Sequence, residues 1–194
     1  MTVMRDAVVK ALADIKVQGD EDGLIPAFGV LVNQLPTAFW NTFAERIIAA
    51  APEDRKEEVE KGLVRCAYEC GYHTGHGIIN SEEFKAVVEP MVTEGKKDIL
   101  RGAFAVFTAW GWAKSGIVQN KEGERLVVRA TDYYEAESGG EGLRAYMIRG
   151  IAAAFFELAY AAAYPDGQDT FVCEQTKGME VGDPHAEFVV TKKA

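Results

Sequence analysis

Thr170-Phe171-Val172-Cys173, then Gly182-Asp183-Pro184-His185-Ala186, then Glu187-Phe188-Val189-Val190 decide the fold of this chain. Two short apolar runs around a Gly-Asp-Pro turn predict a β-hairpin. Working back from it, Gly142 to Tyr164 is a long, Ala-rich, helix-forming stretch. Before that, Gly116-Ile117-Val118 and Arg125-Leu126-Val127-Val128 flank the turn signal Asn120-Lys121-Glu122-Gly123, a second hairpin. Ile99 to Trp112 is apolar at helical spacing. The order helix, hairpin, helix, hairpin predicts an α+β fold: a helical N-terminal half (1–95), then a half (96–194) whose antiparallel sheet is crossed by helix 142–164.

At 194 residues the chain reads as one domain, 1–194, long enough to bury a core. A formal charge of −9 argues against binding a phosphate backbone. The run EDRKEEVEK, residues 53–61, mixes signs at helical spacing and reads as a solvated helix face. Cys66, Cys70 and Cys173 are too few and too uneven for a disulfide framework, and suit a cytoplasmic protein. No apolar run is long enough for a membrane span, and the start lacks a signal peptide's order.

The first half reads as helical throughout. Met4, Val8, Leu12 and Ile15 recur at steps of three and four, and the polar loop GDEDG, residues 19–23, ends that helix. Residues 25–50 read as one helical region divided at Pro36, with Phe39, Phe43, Ile47 and Ala50 as its buried stripe. Pro52-Glu53-Asp54 starts a helix that runs to Gly75 or Gly77, and Ser81-Glu82-Glu83 caps another that ends near Pro90. The loop EAESGGEG, residues 135–142, is the most flexible-looking interior segment and is placed to cover a pocket.

Cys66, Cys70 and His73 fall at i, i+4 and i+7 of one helix, so a metal site is conceivable there. The spacing matches no standard zinc motif and no fourth ligand can be named. The favoured reading is two small buried cysteines beside a hydrogen-bonded histidine, with no cofactor and no metal. Ser81, Ser115 and Ser138 lie in no Gly-x-Ser-x-Gly turn, and there is no Walker A loop, dinucleotide fingerprint or His-Glu-x-x-His. Residues one helical turn apart rarely give the opposed geometry a Cys70–His73 catalytic pair needs. The aromatic content of the second half is more suggestive: Phe104, Phe107, Trp110 and Trp112 precede the first hairpin, and Tyr146, Phe155, Phe156 and Tyr160 lie on the long helix. They read as an aromatic core, part of which lines an apolar pocket.

Trp110-Gly111-Trp112, Tyr146-Met147-Ile148-Arg149-Gly150 and Gly182-Asp183-x-x-Ala186-x-Phe188 resemble the 4-vinyl reductase domain family over about Gly102 to Val190. Tyr68-x-x-Gly71-x-x-x-Gly75 is a looser match upstream. The resemblance implies a ligand-binding fold shared with phenol-sensing activators and vesicle-tethering subunits, and often a homodimer paired through helices. The family's zinc-ligating cysteines fall here on Ala145, Gly178 and Ala186, so the resemblance implies that this zinc site is lost. The same ending also resembles the 2-amino-thiazoline-4-carboxylate hydrolase family, with Ala186 again a departure. Two functions stay open: a sensor or carrier that binds a small apolar or aromatic molecule, or a hydrolase of a small sulfur heterocycle. Lacking a convincing nucleophile, the chain reads more readily as a binding protein than as an enzyme. The expected ligand contacts are Trp110, Trp112, Tyr146, Phe155 and Phe156, with His73 as a polar contact, between helix 142–164, the Trp-bearing helix and the sheet.

Overall fold

The computed structural model describes residues 4–13, 18–28, 30–32, 35–137 and 142–193. In chain order come α1 (Arg5–Ala13), strands β1 (Ile25–Ala27) and β2 (Val30–Val32), and α2 (Thr37–Ala50). Next are α3 (Lys56–Asn80), α4 (Glu82–Val87), α5 (Lys96–Ala109), β3 (Ala113–Lys121) and β4 (Arg125–Tyr133). The chain closes with α6 (Tyr146–Tyr160), β5 (Phe171–Lys177) and β6 (Ala186–Lys192). The fold is mixed helix and sheet, with both predicted C-terminal hairpins present and antiparallel.

The main sheet has the order β3-β4-β6-β5. Its register lines up buried rows: Leu126 faces Val190, which faces Cys173, and Val128 faces Phe188, which faces the buried polar Gln175. Alternation along each strand turns these residues to one face, where they are buried. α6 lies on that face, and Phe156 packs edge-on against Phe171 at 4.7 Å between ring centres. α3 then packs on α6, so the layers run sheet, α6, α3, with α5 alongside α6 and α1 against α5.

Two buried glutamate side chains fasten α6 at its ends. Glu135 accepts the backbone N–H groups of Met147 (2.9 Å) and Ile148 (3.0 Å), which the first turn of a helix leaves unpaired. Glu157, the one charge within residues 150–164, accepts Thr170 N–H (2.8 Å) and Phe171 N–H (3.1 Å), and so fixes the start of β5. The helix is shorter than the sequence stretch. Ala161 takes an extended backbone, and Pro165 disfavours helical geometry at Tyr164.

Three expectations need correction. Ile25–Ala27 and Val30–Val32 form an antiparallel strand pair rather than helix, in keeping with the β-branched Ile25, Val30 and Val32. Phe39, Phe43, Ile47 and Ala50 are not the buried stripe of α2: Phe39 is 45% and Phe43 41% exposed, while Asn41 and Ile48 face inward. The inward face is fixed by Asn41 Nδ2 donating to the Tyr134 carbonyl (2.9 Å) and by Trp40 packing on the core. Cys66 and Cys70 are exposed rather than buried. In the 135–142 loop, Glu135 is buried in a short 3-10 turn, Tyr134–Glu137, and 138–141 lie outside the described residues. Ser81 caps α4 as expected, accepting Phe84 N–H at 3.2 Å.

Candidate ligand cavity

A cavity of about 720 Å³ lies among the β1–β2 hairpin, α2, α3, α5 and α6. It is on the helical side of α6, away from the sheet. The small residues Ala67, Gly71 and Gly75 form its α3 wall and Met147, Ile151 and Phe155 its α6 wall, while Trp110 and Trp112 close it from the end of α5. Gly71 and Gly75 let α6 come close to α3, since an added Cβ would stand 3.2 Å from Ile151 and 2.9 Å from Leu158, and the space lies beside that contact, bounded by Trp40 of α2 and the β1–β2 strands. Phe107, another lining residue, stacks on Trp112 at 5.6 Å and meets Phe155 edge-on at 6.1 Å, so the aromatic end is held rigid.

No charged side chain lines the cavity among the described residues. The lining residues with a polar group on the side chain are Thr74, Cys66, Cys70, Trp40, Trp110 and Trp112. Leu31, Cys66 and Cys70 are exposed as well as lining, so they stand where the cavity meets solvent. Such a site favours a neutral, largely apolar guest, because a buried ionic group would lose its hydration without a partner.

Of the residues singled out in the sequence, Trp110, Trp112 and Phe155 come together on this cavity. Tyr146, Phe156 and His73 do not. Tyr146 donates its hydroxyl to Glu60 Oε1 (2.8 Å), and burial together with that carboxylate pushes its ionisation up. Phe156 faces the sheet. The His73 ring turns away from the cavity, with Nδ1 3.0 Å from the Tyr164 hydroxyl, while the His76 ring stacks on Tyr164. Cys70 Sγ lies 3.8 Å from Thr74 Oγ1, so the thiol and the imidazole of the would-be pair are engaged apart. Among the described residues no three His, Cys, Asp or Glu side chains gather as a metal site.

Sequence reasoning missed Trp40 and the hairpin residues Ala27, Val30, Leu31 and Val32 as lining. Only the β-branched pattern around Val30 signalled that hairpin. It also missed Phe28, which is buried with a φ of +51° and packs edge-on against Trp110 at 5.1 Å. No sequence pattern marks a phenylalanine for a positive φ.

No protein-family model matches the chain, and no curated protein does. Among solved structures, the chain is similar to the phenol-responsive sensory domain of the transcription activator PoxR with phenol. That likeness has a TM-score of 0.72 at 13% identity, covering 99% of this chain and 91% of that chain. It is also similar to a trafficking protein particle complex subunit 3 from Naegleria fowleri covalently bound to palmitic acid, with a TM-score of 0.53 at 14% identity, covering 81% and 95%. A vinyl-4-reductase family protein from Methanocaldococcus jannaschii gives a TM-score of 0.48 at 16% identity, covering 84% and 85%, a likeness too loose to argue from. At these identities the comparisons speak for the fold, and in its fold the chain is like the phenol-responsive sensory domain over nearly its whole length.

Proposed function

We propose that this chain is a small-molecule-binding domain of the 4-vinyl reductase type, a sensor or carrier rather than a catalyst, whose ligand is neutral and apolar or aromatic. The observation that carries this reading is the aromatic-walled cavity, with no charged side chain lining it among the described residues. A guest burying roughly 200 Å² of apolar surface there gains about 5 kcal/mol before ordering costs. The likeness to a domain whose structure holds phenol supports an aromatic guest. The hydrolase reading lacks an assembled nucleophile and base, since Cys70 pairs with Thr74 and His73 with Tyr164.

The chain has three tryptophans, and all three line the cavity, so its tryptophan fluorescence reports on that space. Titration with phenol is expected to change the emission saturably, with no product formed. Phe155→Ala should weaken binding about tenfold, the cost of roughly 1.4 kcal/mol of lost contact. Saturable binding untouched by both Trp110→Ala and Phe155→Ala would place the site elsewhere.

We also infer a homodimer paired through α2, in keeping with a cytoplasmic sensor. Leu35, Phe39, Phe43 and Ile47 leave an exposed apolar stripe, and a two-fold pairing would set that stripe against itself. Light scattering should give twice the 21.2 kDa chain mass, and Phe43→Asp should return the monomer. A wild-type monomer at tens of micromolar, on the order of typical assay concentrations, would end this reading.

A further inference from the structure

The thiols on the cavity wall have no role in the binding reading. α3 presents Cys66, Cys70 and Thr74 along its cavity side, and otherwise lines it only with Ala67, Gly71, Gly75 and Ile78. The two cysteines are free and exposed, and Cys70 Sγ lies within hydrogen-bonding reach of Thr74 Oγ1, at 3.8 Å. Among the described residues they are the only thiols on an otherwise largely apolar and aromatic lining. The third cysteine, Cys173, is buried against α6 and its thiol is pushed up to about 12 by burial.

We propose that the cavity is a covalent receptor for soft electrophiles, in which Cys70 adds to an α,β-unsaturated ketone or aldehyde carried on an aryl or alkyl body. The proposal rests on the binding reading, since the cavity must first hold that body beside the thiol. The thiol loses its proton to water at the mouth. Sulfur then forms a bond to the β-carbon as the carbon–carbon π pair moves towards the carbonyl, and the α-carbon takes up a proton. One S–C bond replaces one π bond, with no leaving group and no oxidant. The Thr74 hydroxyl positions Cys70, donating to the sulfur as it becomes charged. Holding alkene and thiol together raises the rate above that of a free thiol, because the encounter is already made.

The probe is 4-phenylbut-3-en-2-one, its saturated counterpart is 4-phenylbutan-2-one, and the full chain is followed by intact mass and peptide mapping. A single addition at Cys70 is expected, at least about tenfold faster than the same enone adds to glutathione. The saturated ketone should slow it competitively. Cys70→Ser should abolish it, and Cys66→Ser should leave it in place. Thr74→Val should lower the rate of addition at saturating enone about fivefold, the worth of one hydrogen bond to a developing charge, more than it shifts the half-saturating concentration, and Thr74→Ser should restore that rate. Addition no faster than to glutathione and insensitive to the saturated ketone would overturn the proposal, as would addition at Cys66 alone. If the saturated ketone changes the fluorescence saturably but the enone does not add, the covalent step fails and the cavity reading stands. If neither occurs, both fail.

Discussion

Gly150→Ala is expected to lower stability by about 3 kcal/mol or more, and the melting temperature by roughly 10 °C in a domain of this size. An added Cβ at Gly150 would stand 2.4 Å from the Val64 carbonyl oxygen, 2.6 Å from Tyr68 N and 2.7 Å from Ala67 Cβ. Two of these are backbone atoms of α3, so relief requires the helices to move apart rather than a side chain to turn. Separating them would also loosen Ala67 and Gly71, which line the cavity opposite Ile151. Gly62→Ala is the control. It lies on the same helix pair with nothing within 4 Å of its Cβ direction, so alanine's helix preference should stabilise by up to about 1 kcal/mol. Thermal denaturation checks both. If Gly150→Ala melts within a degree or so of wild type, a shift on the order of experimental error, the close approach is not what sets the helix spacing.

That crossing was only half legible in the sequence. The Ala-rich composition of 142–164 announced a thin helix, and Tyr68-x-x-Gly71-x-x-x-Gly75 announced small residues on α3, but nothing paired Gly150 with the turn around Ala67. The sheet was readable because period-two alternation and turn residues are local signals. The register that sets Val128 beside Phe188 followed from burying one face. The hairpin at 25–32 was hidden because its strands are three residues long, too short for a period to show. The α2 stripe misled because Phe39, Phe43 and Ile47 keep helical spacing whether the face meets a core or a partner surface. Which face turned inward was decided by Asn41 and Trp40, through contacts to residues far away in sequence.

The site divides in the same way. Trp110, Trp112 and Phe155 lie where composition drew attention, at the end of α5 and on α6. Phe155 and Phe156 are neighbours in sequence, yet a helix turns successive residues by about 100°, so one meets the cavity and the other the sheet. The sequence located the aromatic segment but not which ring served which side. Cys66 and Cys70 drew attention as conceivable metal ligands, and nothing in their spacing showed that both line an apolar cavity.

The stability difference between wild type and Glu135→Gln should depend on pH. Burial pushes the Glu135 carboxyl up to about 8 from 4.5, against the pull of the Met147 and Ile148 N–H groups, and the Glu180 carboxylate adds to the rise. The neighbouring Tyr134 hydroxyl is raised by burial and by Glu135 in turn, so it supplies no compensating charge. Glu180 is itself held by the Tyr133 hydroxyl, by Gln175 Nε2 (2.7 Å) and by Arg144 N–H (3.0 Å), all around the entry to α6. Below pH 4.5 both folded and unfolded chains hold the Glu135 proton. Between 4.5 and 8 the unfolded chain has lost it while the folded chain keeps it, so stability falls as pH rises. The slope is at most about 1.4 kcal/mol per pH unit, and the whole span is worth at most about 5 kcal/mol. Glutamine removes this titration and accepts only one of the two N–H groups, so the variant should start less stable near pH 5 and converge on wild type near pH 8. Taking the difference between the two proteins cancels the histidines and every other shared group. Denaturant unfolding at a series of pH values measures it, and a difference that stays constant across the range would show that Glu135 is ionised in the folded protein. Met147 stands on that first turn and also lines the cavity, so the same loosening should weaken binding of a neutral guest on the alkaline side.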